Sequence, residues 1–92
     1  MTQALNIRAL DVTGQLEKHV RVPQEASVAD LVDALVDELA LPTNDVNGDR
    51  IVYHLRSEKS GAQLSPADTA ADVLEQDETV RLMPEIVPGS GR

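Results

Sequence analysis

The sequence predicts one small α+β domain, in which a mixed sheet of four to five strands packs on one main helix. The length of 92 residues suits a single hydrophobic core. Several segments alternate apolar and polar residues, as half-buried strands do, whereas one longer segment has helical spacing. Both kinds of apolar surface are buried together when the helix covers one face of the sheet.

Composition narrows the classes of function. The chain is 41% hydrophobic and 26% charged, which is typical of a globular protein, and Tyr53 is its one aromatic residue, so we expect an aliphatic core. A net charge of −8 disfavours binding to nucleic acid or to a membrane surface. Cysteine is absent, which excludes disulfides and thiolate chemistry. No signal peptide or membrane-spanning run is apparent, so we expect a cytoplasmic protein.

The N-terminal third predicts a β-hairpin. Leu5 to Leu10 alternates, Thr13-Gly14 supplies a turn, and Leu16 to Val22 alternates again. Pro23 cannot donate a hydrogen bond to a sheet and is expected to close the second strand.

The main helix is predicted to begin after Ser27, because Ser27 and Asp30 form a variant of the capping box. Apolar residues then follow at helical spacing and form one stripe: Val28, Leu31, Val32, Leu35, Val36 and Leu39. Pro42 is expected to end the helix within a residue or two of Leu41.

The second half of the chain predicts two more strands with short elements between them. Arg50 to Arg56 alternates as a third strand, and Gln63-Leu64 suits a very short one. Ser65-Pro66 is expected to open a short helical turn. Thr79 to Met83 predicts the last strand, which is expected to stop at Pro84.

The C-terminal residues predict a tail. Pro88, Gly89 and Gly91 disfavour regular structure beyond Ile86. We therefore expect a domain over residues 1–86 and a flexible tail over residues 87–92.

This order of elements resembles the β-grasp fold of ubiquitin-like proteins over essentially the whole chain. Similar residues occur in that family at Thr13-Gly14, at Val22-Pro23 and at Arg50 to Tyr53. When Thr79 to Met83 is laid on the last strand of ubiquitin without gaps, Gly89 falls on the terminal glycine. The chain is similar in particular to bacterial ubiquitin-like modifiers encoded beside activating, carrier and JAB-type peptidase proteins in antiphage operons.

The resemblance implies a conjugation terminus. In the family, a C-terminal Gly-Gly is adenylated by an E1-like activating enzyme, passed to an E2-like carrier and joined to a target protein. Here no two glycines are adjacent, so the resemblance implies that a peptidase first removes an extension. Gly91 is exposed by loss of Arg92, and Gly89 by loss of Ser90 to Arg92. The alternative is a disordered end or a linker remnant, and an amide or an ester product stays open.

The resemblance also implies a partner-binding face on the outward side of the third and last strands. The matching apolar residues are Val52 and Met83 with Val12, beside the basic residues Arg50, His54 and Arg81. Such a surface suits a partner that presents acids around an apolar anchor. The alternative is that these are ordinary exposed side chains. If the protein forms chains, Lys18, Lys59 and the N-terminal amine are the available acceptors.

Enzymatic and metal functions are not expected. The sequence contains no Ser-His-Asp spacing, phosphate loop or paired-carboxylate cleft, and no cofactor is implied. His19 and His54 form no metal motif, and Asn44 to Asp49 resembles a calcium loop without its closing glutamate, so a turn is the alternative.

Two rival functions share the fold. A non-conjugating ubiquitin-like module, like those of type VII secretion systems, would end soon after the last strand, whereas eight residues follow Pro84 here. A sulfur carrier would need a bare terminal Gly-Gly.

Overall fold

The computed structural model describes residues 4–88. The elements in chain order are β1 Ala4–Leu10, β2 Glu17–Pro23, α1 Val28–Glu38, β3 Arg50–Ser57, α2 Ala70–Val73 and β4 Glu78–Val87. They form a four-stranded sheet in the order β2-β1-β4-β3. The central strands β1 and β4 are parallel, and both outer pairs are antiparallel. The predicted α+β class is confirmed.

The core lies between the inner face of this sheet and α1, and it is aliphatic as predicted. Its largest fully buried side chains are Ile7, Leu35, Leu55, Leu82, Val28 and Val80. The half-buried ring of Tyr53 packs against its edge. Burial of these side chains supplies the main driving force for folding.

The start of α1 follows the sequence prediction. The Ser27 side chain accepts a hydrogen bond from the backbone N–H of Asp30 at 3.1 Å, which satisfies one of the free donors of the first turn. Val28, Leu31 and Leu35 point into the core from the predicted stripe.

The end of α1 comes slightly earlier than predicted, because the helix stops at Glu38, three residues before Leu41. Ala40 adopts a positive φ of 53°. The N–H of Ala40 donates to the Asp37 carbonyl at 3.1 Å, and the N–H of Leu41 donates to the Val36 carbonyl at 3.0 Å. These two bonds form a Schellman cap, which ends the helix before the proline is reached.

The short second helix also begins later than predicted. The N–H of Asp68 donates to the Ser65 carbonyl at 3.1 Å, which closes a turn around Pro66. Thr69 then forms an isolated bridge with Ser27, and α2 begins only at Ala70. The predicted strand at Gln63-Leu64 is reduced to one bridge, between Gln63 and Arg56.

The last strand is longer than predicted, since β4 continues through Pro84 to Val87. Hydrogen-bonded and non-hydrogen-bonded pairs alternate in an antiparallel ladder. The N–H of Glu58 donates to the Thr79 carbonyl at 3.0 Å, so these two residues form a hydrogen-bonded pair. Tyr53 and Pro84 lie five pairs further along the ladder, and their pair is therefore a non-hydrogen-bonded one. Pro84 therefore faces β3 at a position that needs no N–H. The predicted stop at this proline is wrong for that reason, and residue 87 belongs to the strand.

The first hairpin is shifted by one residue from the prediction, because β2 runs from Glu17 and includes Pro23. An outer strand tolerates a proline at its end. The turn is held by Asp11, whose carboxylate accepts hydrogen bonds from the Thr13 hydroxyl at 2.8 Å and from the Leu16 N–H at 3.1 Å. Although burial opposes the effect, these hydrogen bonds lower the pKa of Asp11.

Candidate conjugation end and partner-binding face

The C-terminal end of the described chain leaves the body of the molecule along β4. Val80 and Leu82 of this strand are completely buried, whereas Ile86 is 50% exposed. Val87 pairs with Arg50 at the end of the ladder, and Pro88 follows in an exposed turn. At about 3.3 Å per residue, Val87 lies roughly 23 Å along the strand from Val80. The candidate conjugation residues Gly89, Ser90, Gly91 and Arg92 lie outside the described residues.

The candidate partner-binding face lies on the side of the sheet opposite α1. Its members alternate with residues that face α1: Arg50, Val52 and His54 on β3, and Arg81 and Met83 on β4. His54 is directly opposite Met83 in the ladder, and Val52 is two pairs further along, opposite Glu85. Strand register thus brings the two apolar side chains into diagonal contact range.

Arg81 joins this face to the first turn. Its guanidinium forms a close ion pair with Glu58 and donates from Nη1 to the Val12 carbonyl at 2.9 Å. Val12 itself is 43% exposed. The hydrogen bond from Arg81, with the charges of Arg81 and Arg56, holds the pKa of the Glu58 carboxyl below its usual range. Arg81 therefore has a structural role, and its charge is partly offset by Glu58.

His54 has a carboxylate partner as well. Its Nε2 lies 3.0 Å from Oε2 of Glu85, the residue that follows Pro84. Glu85 was not expected on this face, because the strand was predicted to stop at the proline before it. Continued alternation past Pro84 is the signal that could have found it, whereas Glu58, in the turn after β3, gave no such signal.

The face as a whole is basic. Within residues 4–88, every arginine lies on the outward side of the sheet, and both histidines lie there too: Arg8, Arg21, Arg50, Arg56, Arg81, His19 and His54. The exposed side of α1 carries acids instead, among them Asp30, Asp33 and Asp37. The protein is therefore acidic overall but has opposite charges on its two sides. Strand register was needed to see this, since the arginines are scattered in the sequence.

The two candidate acceptor lysines are exposed, but both are held in ion pairs. Nζ of Lys18 lies 3.0 Å from Glu38 of α1, and Nζ of Lys59 lies 3.0 Å from Glu75. Their side chains remain 51% and 71% exposed. The hydrogen bond with Glu75 raises the pKa of Lys59.

The calcium-like segment is a turn that uses its own carboxylate. Oδ1 of Asp45 accepts hydrogen bonds from the N–H groups of Asn47 at 2.9 Å and Asp49 at 2.8 Å. This is turn chemistry typical of aspartate. Between residues 4 and 88, no group of three or more histidine, aspartate or glutamate side chains is placed to hold a metal ion. None of the helices in that range is long and apolar enough to cross a membrane.

Comparison with solved structures identifies the fold. An archaeal protein described as Caldiarchaeum subterraneum ubiquitin aligns over 94% of this chain and 99% of its own, with a TM-score of 0.63 and 17% identity. The fold is a ubiquitin-like β-grasp. A chain from a structure described as molecular mimicry of SUMO that promotes DNA repair aligns over 88% of this chain and 91% of its own, with a TM-score of 0.67 and 20% identity.

A third similar chain comes from a toluene 4-monooxygenase HD complex with the inhibitor 4-bromobenzoate. It aligns over 90% of this chain and 100% of its own, with a TM-score of 0.71 and 18% identity. No protein-family model matches the sequence, and no curated protein matches it either. At these identities the likeness is one of fold, and the β-grasp can serve more than one function.

Proposed function

We propose that this chain is a bacterial ubiquitin-like protein modifier that is conjugated through a C-terminal glycine carboxylate. The observation that supports this most directly is the course of β4, which passes from the buried Val80 to an exposed end at Val87. A tail that follows Val87 begins at the end of the β3–β4 ladder, where a partner enzyme can approach it. An antiphage role belongs to the same proposal and rests on the resemblance alone.

The proposed chemistry consists of cleavage, activation and transfer. A JAB-type peptidase uses water to split the bond after Gly91 and releases Arg92, or splits the bond after Gly89 and releases three residues. An E1-like enzyme joins the new carboxylate to the AMP part of ATP, releasing pyrophosphate, and then to its own thiol, releasing AMP. After transfer to an E2-like thiol, a target nucleophile displaces that thiol. Glycine suits the reacting position because it lacks Cβ and permits close approach.

The sheet face is the proposed docking surface for these partners. Val52 and Met83 supply the apolar contact, and Arg50, His54 and Arg81 supply positive charge around it. Because Glu85 and Glu58 already pair with His54 and Arg81, a partner carboxylate must compete with them. Such competition favours selectivity and reversible binding over high affinity.

The processing step can be tested by intact mass. The full chain is incubated with a JAB-type peptidase, with Gly91→Val and Gly89→Val as matched variants. We expect loss of one arginine, blocked by Gly91→Val, or loss of Ser-Gly-Arg, blocked by Gly89→Val. An unchanged mass for all three proteins would contradict the proposal.

A second candidate is a non-conjugating binding module, as in type VII secretion systems. The similar chain in the toluene 4-monooxygenase complex supports it, because that protein has this fold within an enzyme assembly. Removal of residues 89–92 separates the two. A binding module retains its activity without them, whereas a modifier loses conjugation entirely.

A further inference from the structure

The outer edge of β3 is covered at both ends and open between them. The N–H of Ile51 donates to the Thr43 carbonyl at 2.9 Å, and the N–H of Leu64 donates to the Leu55 carbonyl at 2.8 Å. Between these points the N–H and C=O of Tyr53 face away from β4, because its pair with Pro84 is not hydrogen-bonded. Neither group takes part in the backbone hydrogen bonds that turns, loops and caps make in the described part of the chain. The gap is roughly 13 Å long, enough for about three residues of an added strand.

A groove runs along this gap, between β3 and α1. It consists of two adjoining cavities of about 520 and 210 Å³, both lined by Val32 and Tyr53. Val36 and Leu41 extend the apolar floor. The ring of Tyr53 is fixed by its hydroxyl, which donates to the Pro42 carbonyl at 2.7 Å.

Two carboxylates stand on the helix side of the groove. Asp33 and Asp37 are one turn apart on α1, both line the groove, and both are exposed. Neither has an ion-pair partner among residues 4–88. On the opposite side the groove is lined by the basic residues Arg50 and His54, which belong to the outward face of β3. The groove therefore attracts a cation only on its helix side.

We propose that this groove binds an extended peptide segment with a central arginine. The segment pairs with the backbone of Tyr53 as an added strand, and its arginine points toward α1. The aliphatic part of that side chain covers the floor at Val32 and Val36, and the guanidinium reaches Asp33 and Asp37. The flanking residues point outward beside Arg50 and His54, which disfavour further cations there. This site adjoins the basic face along the edge of β3 and does not depend on the tail.

The test uses the full chain and a synthetic peptide, acetyl-Ser-Val-Arg-Val-Ser-amide. Tyr53 is the protein's one aromatic residue, so its fluorescence reports directly on the groove. We expect a saturable fluorescence change and a shift of the Tyr53 amide resonance. Asp33→Asn/Asp37→Asn should weaken binding about tenfold. The matched variant Glu25→Gln/Asp72→Asn removes the same charge outside the groove and should bind like the parent.

Peptide controls separate strand pairing from simple charge attraction. A peptide N-methylated at its three central residues keeps the arginine but cannot form the strand, and it should not bind. A peptide with glutamate in place of arginine should not bind either. Equal weakening by both double variants, or binding of either control peptide, would overturn the proposal. A concentration-dependent dimer that Asp33→Asn/Asp37→Asn abolishes would overturn it too, because a second copy would then occupy the groove.

Discussion

The two halves of the β3–β4 ladder share one pattern of backbone pairing but differ in what surrounds them. In the inner half, Leu55 and Leu82 face each other with no exposed surface, and β1 lies alongside. In the outer half, Ile51 faces Ile86, which is 50% exposed, and β1 pairs with β4 only as far as Arg81. Continuous hydrogen bonding therefore does not mean uniform stability. The inner half stabilises the fold, whereas the outer half leaves apolar side chains such as Ile86 exposed.

The largest expected difference is in the effect of truncating side chains. Leu82→Ala should lower the free energy of unfolding by about 3 kcal/mol, because it opens a cavity in a fully buried site. Ile86→Ala should cost less than about 1 kcal/mol, since the side chain is half exposed. Urea unfolding followed by far-UV circular dichroism measures both. Equal losses would mean that the two halves are buried to the same degree in solution.

Amide hydrogen exchange should show the same contrast without a mutation. Arg81 and Val87 both occupy hydrogen-bonded positions opposite β3, yet only the former lies beside the core. We expect the Val87 amide to exchange at least about 30-fold faster, through local opening of the outer half. Similar protection at the two sites would indicate that the ladder opens as one unit.

The ion pair of Arg81 with Glu58 adds a pH-dependent contribution to the inner half. A carboxyl whose pKa is lower in the folded state stabilises the fold above its unfolded pKa, and that contribution is lost as the pH falls. The free energy of unfolding should therefore decline below about pH 5. Glu58→Gln should remove part of this decline, and it should lower the free energy of unfolding by about 1 kcal/mol near pH 7. Urea titrations from pH 7 to 3 measure it. Identical pH profiles would assign the decline to other carboxyls.

The smallest expected effect concerns α1, which covers the inner half. Ala40 has a positive φ at the helix cap, where glycine is less strained. Ala40→Gly should raise stability by about 0.5–1 kcal/mol, whereas the matched change Ala34→Gly, at an exposed site within the helix, should lower it by about 1 kcal/mol. Opposite shifts in thermal midpoint are the expected outcome. A loss in both variants would contradict the Schellman cap.

The same contrast explains which parts of the structure could be predicted. The alternation in β1 and β3 and the apolar stripe of α1 both reflect burial. The inner half of the ladder could therefore be predicted from the sequence. The end of α1 was missed because an alanine, not a glycine, takes the capping conformation. The outer half of β4 was missed because the cost of Pro84 depends on which side of the strand its nitrogen faces, and only the register with Tyr53 determines that.

The candidate face was predictable in part for a similar reason. Alternation placed Val52, His54 and Met83 on the outward side. It could not reveal that Glu58 pairs with Arg81, since that contact joins a turn to a distant strand. Nor could it reveal the groove beside Tyr53. That groove depends on how far the loops at Thr43 and Leu64 cover the outer edge of β3.

The most direct test of the account is the isolation of conjugates from the cells that encode the protein. A version tagged at its N-terminus is purified under denaturing conditions, and captured proteins are digested with trypsin, which cuts after Arg81. We predict acceptor residues that carry the remnant from Leu82 to Gly91, or to Gly89, and none when residues 89–92 are deleted. Unmodified targets in both samples, with the chain recovered only as a free protein, would contradict it.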